Sequence, residues 1–127
     1  MPAELVRRAC PKPSAQQPVP LIIGEYRTRP IVTARSGGLC ERCGARAHSV
    51  HHRRNAGQGG PWTPQNCVHL CGDGTRLCHG WITTHPDDAH SEGYALKHGD
   101  DPALIPITHW LYGAVRLDDT GGYVLAA

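Results

Sequence analysis

The sequence predicts an α+β fold: a small core of short strands and helices, stapled by a metal and flanked by a proline-rich arm and a β-rich tail. Three observations predict it. The chain has 127 residues with 15 Gly, 11 Pro and no Phe, a composition rich in turns and poor in the large apolar side chains that fill a deep core. Four of its six cysteines fall in two pairs, Cys40 with Cys43 and Cys71 with Cys78, and a metal staple is one way for a short chain to order irregular loops. Around those pairs, short strand and helix patterns alternate with glycine-rich connections.

Residues 1–25 read as a flexible, partly extended arm, with Pro2, Pro11, Pro13, Pro18 and Pro20 separated by Ser and Gln. Within it, residues 3–10 have the pattern of a short helix, and Cys10 stands apart as a free thiol. Residues 26–90 form the core. A helix is expected to open at Pro30 and close at Gly37 and Gly38, because proline suits a first helical position and glycine an end. A short strand follows over 47–53, a glycine-rich loop over 55–64 and a second strand over Cys67–Leu70. A helix over 76–84 stops before Pro86, whose ring cannot continue it. Residues 91–127 read as a β extension of the same domain. Its strands are expected at 93–96 and 106–112, with a hairpin over 115–125 that turns at residues 118–122.

The net charge of +2 conceals an asymmetry. Up to Gly80 there are 11 Lys/Arg against four Asp/Glu, and beyond it two against seven. A basic front half made almost wholly of arginine suits phosphate, since a guanidinium forks two hydrogen bonds onto its oxygens. No stretch is long and apolar enough to span a bilayer, so no membrane partner is expected. The N-terminus lacks the apolar core of a secretory signal, which points to the cytoplasm. A reducing compartment favours thiolate–metal bonds over disulfides.

Zinc takes four soft ligands in a tetrahedron, and a C-x2-C turn aims two thiolates at one point. Cys40 and Cys43 have that spacing. Cys71 and Cys78 are separated by six residues rather than two, but Gly72, Asp73 and Gly74 suit a protruding turn that lets the pair close. Structural zinc on Cys40, Cys43, Cys71 and Cys78 is therefore expected. Cys67 reads as a small buried residue. A redox C-x-x-C would need a βαβ setting that the pattern does not supply.

Inside the knuckle lie His51 and His52 on the first strand, Asn66 fourteen positions on, and His79 directly after Cys78. Phosphodiester hydrolysis needs an activated water, a cation against the phosphate, and stabilisation of the leaving oxygen. A neutral histidine suits the first task. Adjacent strand residues point to opposite faces, so His51 and His52 cannot both face the same way on a regular strand.

Cys40-x-x-Cys43, His51-His52-Arg53-Arg54, Gly59-Gly60, Asn66-Cys67-Val68-x-Leu70-Cys71 and Cys78-His79 together resemble the HNH, or ββα-metal, endonucleases. The longer Cys71–Cys78 span is similar to small phage members of that family. The resemblance covers roughly residues 39–86 and implies a ββα-metal core that cuts DNA. It implies that His51 and His79 ligate one divalent ion, that His52 is the general base, and that Asn66 braces the loop and orients that base. Arg53 and Arg54, directly after the base, would lie near the DNA backbone. The ion would be Mg²⁺ or Mn²⁺, with Ni²⁺ or Zn²⁺ admitted by two imidazole ligands. Some members carry a further ligating histidine four residues after the last one. Here that position is Thr83, and His85 lies about 240° round a helix from His79. If phage-encoded, the enzyme would act in the cytoplasm of a bacterial host, as a monomer or homodimer.

Other readings compete. Arg27, Arg29, Arg35, Arg42 and Arg46 are candidate non-specific DNA contacts or solvated surface. Trp62 and Trp81 are packing residues before they are base-stacking ones, with Trp81 set against the knuckle. His48, His69, His90, His98 and His109 are surface or packing residues. The main rival to the enzyme is a non-catalytic zinc-knuckle module that binds nucleic acid; another is a protein-interaction knuckle.

Overall fold

The computed structural model describes residues 24–126, so the expectations for residues 1–23, including the short helix and the Cys10 thiol, lie outside it. The described chain is α+β, with helices and two small antiparallel sheets. Helix α1 spans Gly24–Ser36. It begins six residues before Pro30, which sits inside it, and this corrects the expected start. The proline removes one helical hydrogen bond, but the helix is held from outside by one face: Thr28 and Val32 are buried, Thr28 Oγ1 donates to the Trp62 carbonyl at 2.9 Å, and the Arg35 side chain is fully enclosed. Positions four and three apart on a helix share that face. Its end falls where expected, with Gly37 and Gly38 at positive φ.

Strand β1, Ser49–His52, pairs antiparallel with β2, Cys67–Leu70, in the register Ser49 with Leu70 and His52 with Cys67. Between them the loop contains a single 3-10 turn, Ala56–Gln58, capped by the Asn55 side chain. Helix α2, Leu77–Thr84, follows β2, so the expected strand–loop–strand–helix order is present. Pro86 does end α2, but it also starts helix α3, Pro86–Ser91, which the sequence reading missed; proline's fixed φ suits a first helical position.

The second sheet has the order β3 (Ile107–His109), β4 (Gly113–Leu117), β5 (Tyr123–Leu125). The Asp118 carboxylate closes the β4–β5 turn by accepting from the Thr120 and Gly122 amides. The strand expected at 93–96 is instead a turn. Gly93 has φ +85, and a Cβ there would lie 2.0 Å from the Pro106 carbonyl oxygen, so this backbone is pressed against the approach to β3 rather than paired in a ladder. Val68, Leu70, Ile82, Ala89, Tyr94, Ile107, Val115 and Leu117 form one buried cluster with Cys40, Cys71 and Cys78. The extension and the knuckle therefore share a core. No helix among the described residues is long and apolar enough to cross a membrane.

Candidate metal centre and histidine site

Cys40 and Cys43 occupy the turn between α1 and β1, Cys71 directly follows β2, and Cys78 lies in the first turn of α2. Their four sulfurs lie within 4.8 Å of one another, with Cys43 and Cys71 Sγ 3.6 Å apart. Tetrahedral zinc with bonds near 2.3 Å would set its sulfurs about 3.8 Å apart. The quartet can thus hold a metal ion and is consistent with structural zinc. The Cys43 amide already points at Cys40 Sγ, at 3.4 Å.

The long second span closes as a tight turn. Gly72 has φ +80, and a Cβ there would meet the Arg76 carbonyl oxygen at 2.1 Å. The Asp73 carboxylate accepts from the Thr75 amide and hydroxyl. Leu77 takes a left-handed φ of 59° just before Cys78, a conformation that costs a side-chain-bearing residue on the order of 1–3 kcal/mol. Cys67, by contrast, is fully buried outside the quartet, and burial pushes its thiol up to about 11.

Trp81 packs against the knuckle as expected. Over it lies Arg42, whose guanidinium carbon is 3.6 Å from the ring centroid, while Nε donates to Glu92 at 2.8 Å and Nη1 to Cys78 Sγ at 3.4 Å. Arg42 is thereby part of the knuckle wall rather than a free phosphate contact.

His51 and His52 leave β1 on opposite faces. The His51 ring lies 5.1 Å from that of His79, nearly edge-on. Its Nε2 is 2.8 Å from the Tyr94 carbonyl oxygen; a carbonyl only accepts, so Nε2 carries the proton and Nδ1 is left with a free lone pair. His79 Nδ1 is 2.8 Å from Ser49 Oγ, and the Ser49 hydroxyl donates to the Gly72 carbonyl at 2.8 Å. With its one proton committed, Ser49 accepts from His79 Nδ1–H, and His79 Nε2 is left free. Each imidazole therefore has one nitrogen anchored and one available, the arrangement that orients metal-ligating histidines. Burial lowers the pKa of both, that of His51 to about 4 despite the opposing Tyr94 bond, so both rings are neutral at pH 7.

His52 is placed elsewhere. Its ring packs edge-to-face on Trp62, with centroids 4.4 Å apart, and its Nε2 is buried with no hydrogen-bond partner. Burial, then the nearby Arg29 charge, lowers its pKa. The structure thus brings His51 and His79 together but not His52 with them.

Asn66 is fully buried. Its Oδ1 accepts from the Arg54 amide at 2.8 Å, and its Nδ2 donates to the Arg54 and Pro61 carbonyls at 3.1 and 3.0 Å, clamping both ends of the loop. Its side chain reaches the backbone beyond His52, not the His52 ring.

Two further arginines depart from expectation. Arg53, expected beside bound DNA, is 2% exposed and donates to the carbonyls of Gly93, Gln65, Pro102 and Ile105. Desolvation lowers its pKa to about 10. Three of these four bonds tie the 93–105 segment to the end of β1. Arg35 is likewise enclosed, forking onto Glu41 at 2.8 and 2.9 Å. Glu41 also accepts from the Tyr123 hydroxyl at 2.6 Å and the His69 amide at 2.8 Å. Burial alone would raise the Glu41 carboxyl, but Arg35 and these bonds hold it below the usual range. Arg54 is half-buried, with Nε unpartnered, while Arg27, Arg29 and Arg46 are exposed. His85 stacks on Trp81 with its Nδ1 at the Trp81 carbonyl. Among the described residues it joins no cluster of three or more metal-ligating side chains; the cysteine quartet is the one such cluster.

The sequence reading missed Glu41, Ser49 and Tyr94. Ser49 had a signal, because it stands two residues before His51 and so shares its strand face. A backbone carbonyl such as that of Tyr94 leaves none. No protein-family model, curated protein or solved structure matches the chain.

Proposed function

We propose that the chain is a metal-dependent endonuclease of the HNH (ββα-metal) type that hydrolyses DNA phosphodiester bonds. The observation that carries this reading is the His51–His79 pair, with ring centroids 5.1 Å apart and one free nitrogen on each ring. Two imidazoles ligating one ion at the usual 2.0–2.1 Å place their centroids about 5 Å apart. A divalent cation held there supplies positive charge to the phosphate and the leaving oxygen, with positions left open for water and substrate. Nitrogen ligands favour Mn²⁺ over Mg²⁺ and admit Ni²⁺ or Zn²⁺. The zinc of the cysteine quartet is structural.

His52 is the general base in this reading. A base must be unprotonated and have a free nitrogen: burial favours the neutral ring, and Nε2 has no hydrogen-bond partner. Because the His52 ring lies on the face of β1 opposite the His51–His79 pair, Trp62 must turn aside and the end of β1 must distort for a water at the ion to reach it. Asn66 keeps the loop that carries Trp62 closed at its ends. Arg54 and the exposed Arg27, Arg29 and Arg46 face the DNA backbone, while Arg53 holds the strand end from within.

The rival, a non-catalytic zinc knuckle that binds nucleic acid, draws support from the enclosure of His52 Nε2. Supercoiled plasmid separates the two. The enzyme nicks it with Mn²⁺ or Mg²⁺, EDTA stops the reaction, and His52→Ala slows it by about 10²–10⁴-fold with the circular dichroism unchanged. Plasmid left intact by the wild type with either ion overturns the enzyme in favour of the rival.

A further inference from the structure

We infer that Ser49 is a positioning residue that couples the cysteine knuckle to the histidine pair, fixing His79 in the tautomer whose Nε2 is free for a divalent cation. The inference rests on the reading of His51 and His79 as ligands. The chain of contacts is short and directional. The Gly72 carbonyl accepts the Ser49 hydroxyl at 2.8 Å, and Ser49 Oγ faces His79 Nδ1 at 2.8 Å. Gly72 directly follows Cys71, whose own carbonyl accepts the His79 amide at 3.1 Å. Cys78 precedes His79 in the same helical turn.

His79 is therefore held by its backbone to one knuckle residue and by its ring, through Ser49, to the next. Removing the hydroxyl would take away the acceptor of His79 Nδ1–H and leave the ring free to flip and to exchange its proton between nitrogens. Gly72 is required at this position: its φ of +80 and its closeness to Arg76 admit no side chain. The Gly72 amide also donates to His48 Nδ1 at 2.9 Å, which helps to hold the acceptor at the far end of the relay. On the other ligand the Tyr94 carbonyl does the same task for His51, but a backbone acceptor cannot be deleted by mutation. Ser49 is the accessible half of the pair of anchors.

The test uses the full zinc-loaded chain, ¹⁵N-labelled, with no other divalent ion present. Ring-nitrogen NMR should show His79 protonated at Nδ1 in the wild type and in Ser49→Thr, and a mixture of tautomers in Ser49→Ala. Mn²⁺ titration followed by electron paramagnetic resonance should show S49A binding about 10–100-fold more weakly, with S49T close to wild type and zinc content equal in all three. A wild-type His79 protonated at Nε2, or Mn²⁺ affinity unchanged in S49A, overturns the inference. Loss of zinc from S49A also overturns it, since Ser49 would then be holding the knuckle rather than the ring. A wild type with the expected tautomer that binds no Mn²⁺ supports the Ser49 assignment and sinks the nuclease reading instead.

Discussion

The cysteine quartet and the histidine pair are built from neighbouring residues, with Cys78 and His79 adjacent in the chain, yet on the proposed reading they are opposite kinds of site. At the quartet, protein fills all four ligand positions, three of the four thiols are buried, and strain at Leu77 is tolerated to close the ring. At the pair, the proposed ligands are two ring nitrogens, which would leave the remaining positions to water and substrate. A closed coordination shell suits a structural ion, and an open one suits chemistry. The contrast also shows how one supports the other: the knuckle fixes Gly72 and the start of α2, and these in turn fix His79.

Breaking the closed site should have the largest effect. Cys71→Ser removes a buried ligand from a core whose apolar cluster includes the quartet itself. Zinc binding to such sites is worth about 10–16 kcal/mol of folding free energy in small zinc domains, so C71S should lose both zinc and its folded circular dichroism spectrum. A folded, zinc-free C71S would show that the knuckle is dispensable.

A smaller but still severe effect is expected one layer out. Arg35→Ala leaves the Glu41 carboxylate buried beside Cys40 without its countercharge. Stranding one member of a buried pair costs about 3–5 kcal/mol, which urea unfolding would read as a lower midpoint. An unchanged midpoint would mean that the α1–knuckle–β5 network is ornamental.

The histidine pair sharpens the contrast through pH. The His51 pKa is about 4 folded against 6.5 in a free chain, so between these values the unfolded state binds more protons than the folded one. Stability from this group is intact above pH 6.5 and is lost as pH falls toward 4. With no divalent ion beyond zinc, His51→Gln should flatten that acid limb by an amount on the order of 3 kcal/mol, while the cysteine contribution stays common to both proteins. Parallel stability curves for wild type and H51Q would contradict the burial of a neutral ring.

What was legible in the sequence follows the range of the interactions. The Cys40/Cys43 turn, strand β2 and the Asp118 turn are set by local spacing and turn chemistry, and they lie where the residues indicate. The opposite facing of His51 and His52 follows from strand geometry alone. The start of α1 was misplaced because Pro30 is locally a helix opener, whereas Thr28, Val32 and Arg35 anchor the helix by contacts distant in sequence. Arg35 and Arg53 read as DNA contacts for the same reason: their partners, Glu41 and the carbonyls of the 93–105 segment, are visible only once the chain has folded. The roles of His52 and Asn66 came from resemblance, and Trp62, which covers His52, had no signal beyond being aromatic.

The distinction between a closed and an open metal site is tested most directly by counting ions. Zinc-loaded protein titrated with Mn²⁺, followed by native mass spectrometry, should take up one Mn²⁺ beside one zinc, and His79→Ala should keep the zinc and lose the Mn²⁺. Wild type that binds zinc alone, or H79A that binds Mn²⁺ as tightly as wild type, would contradict it.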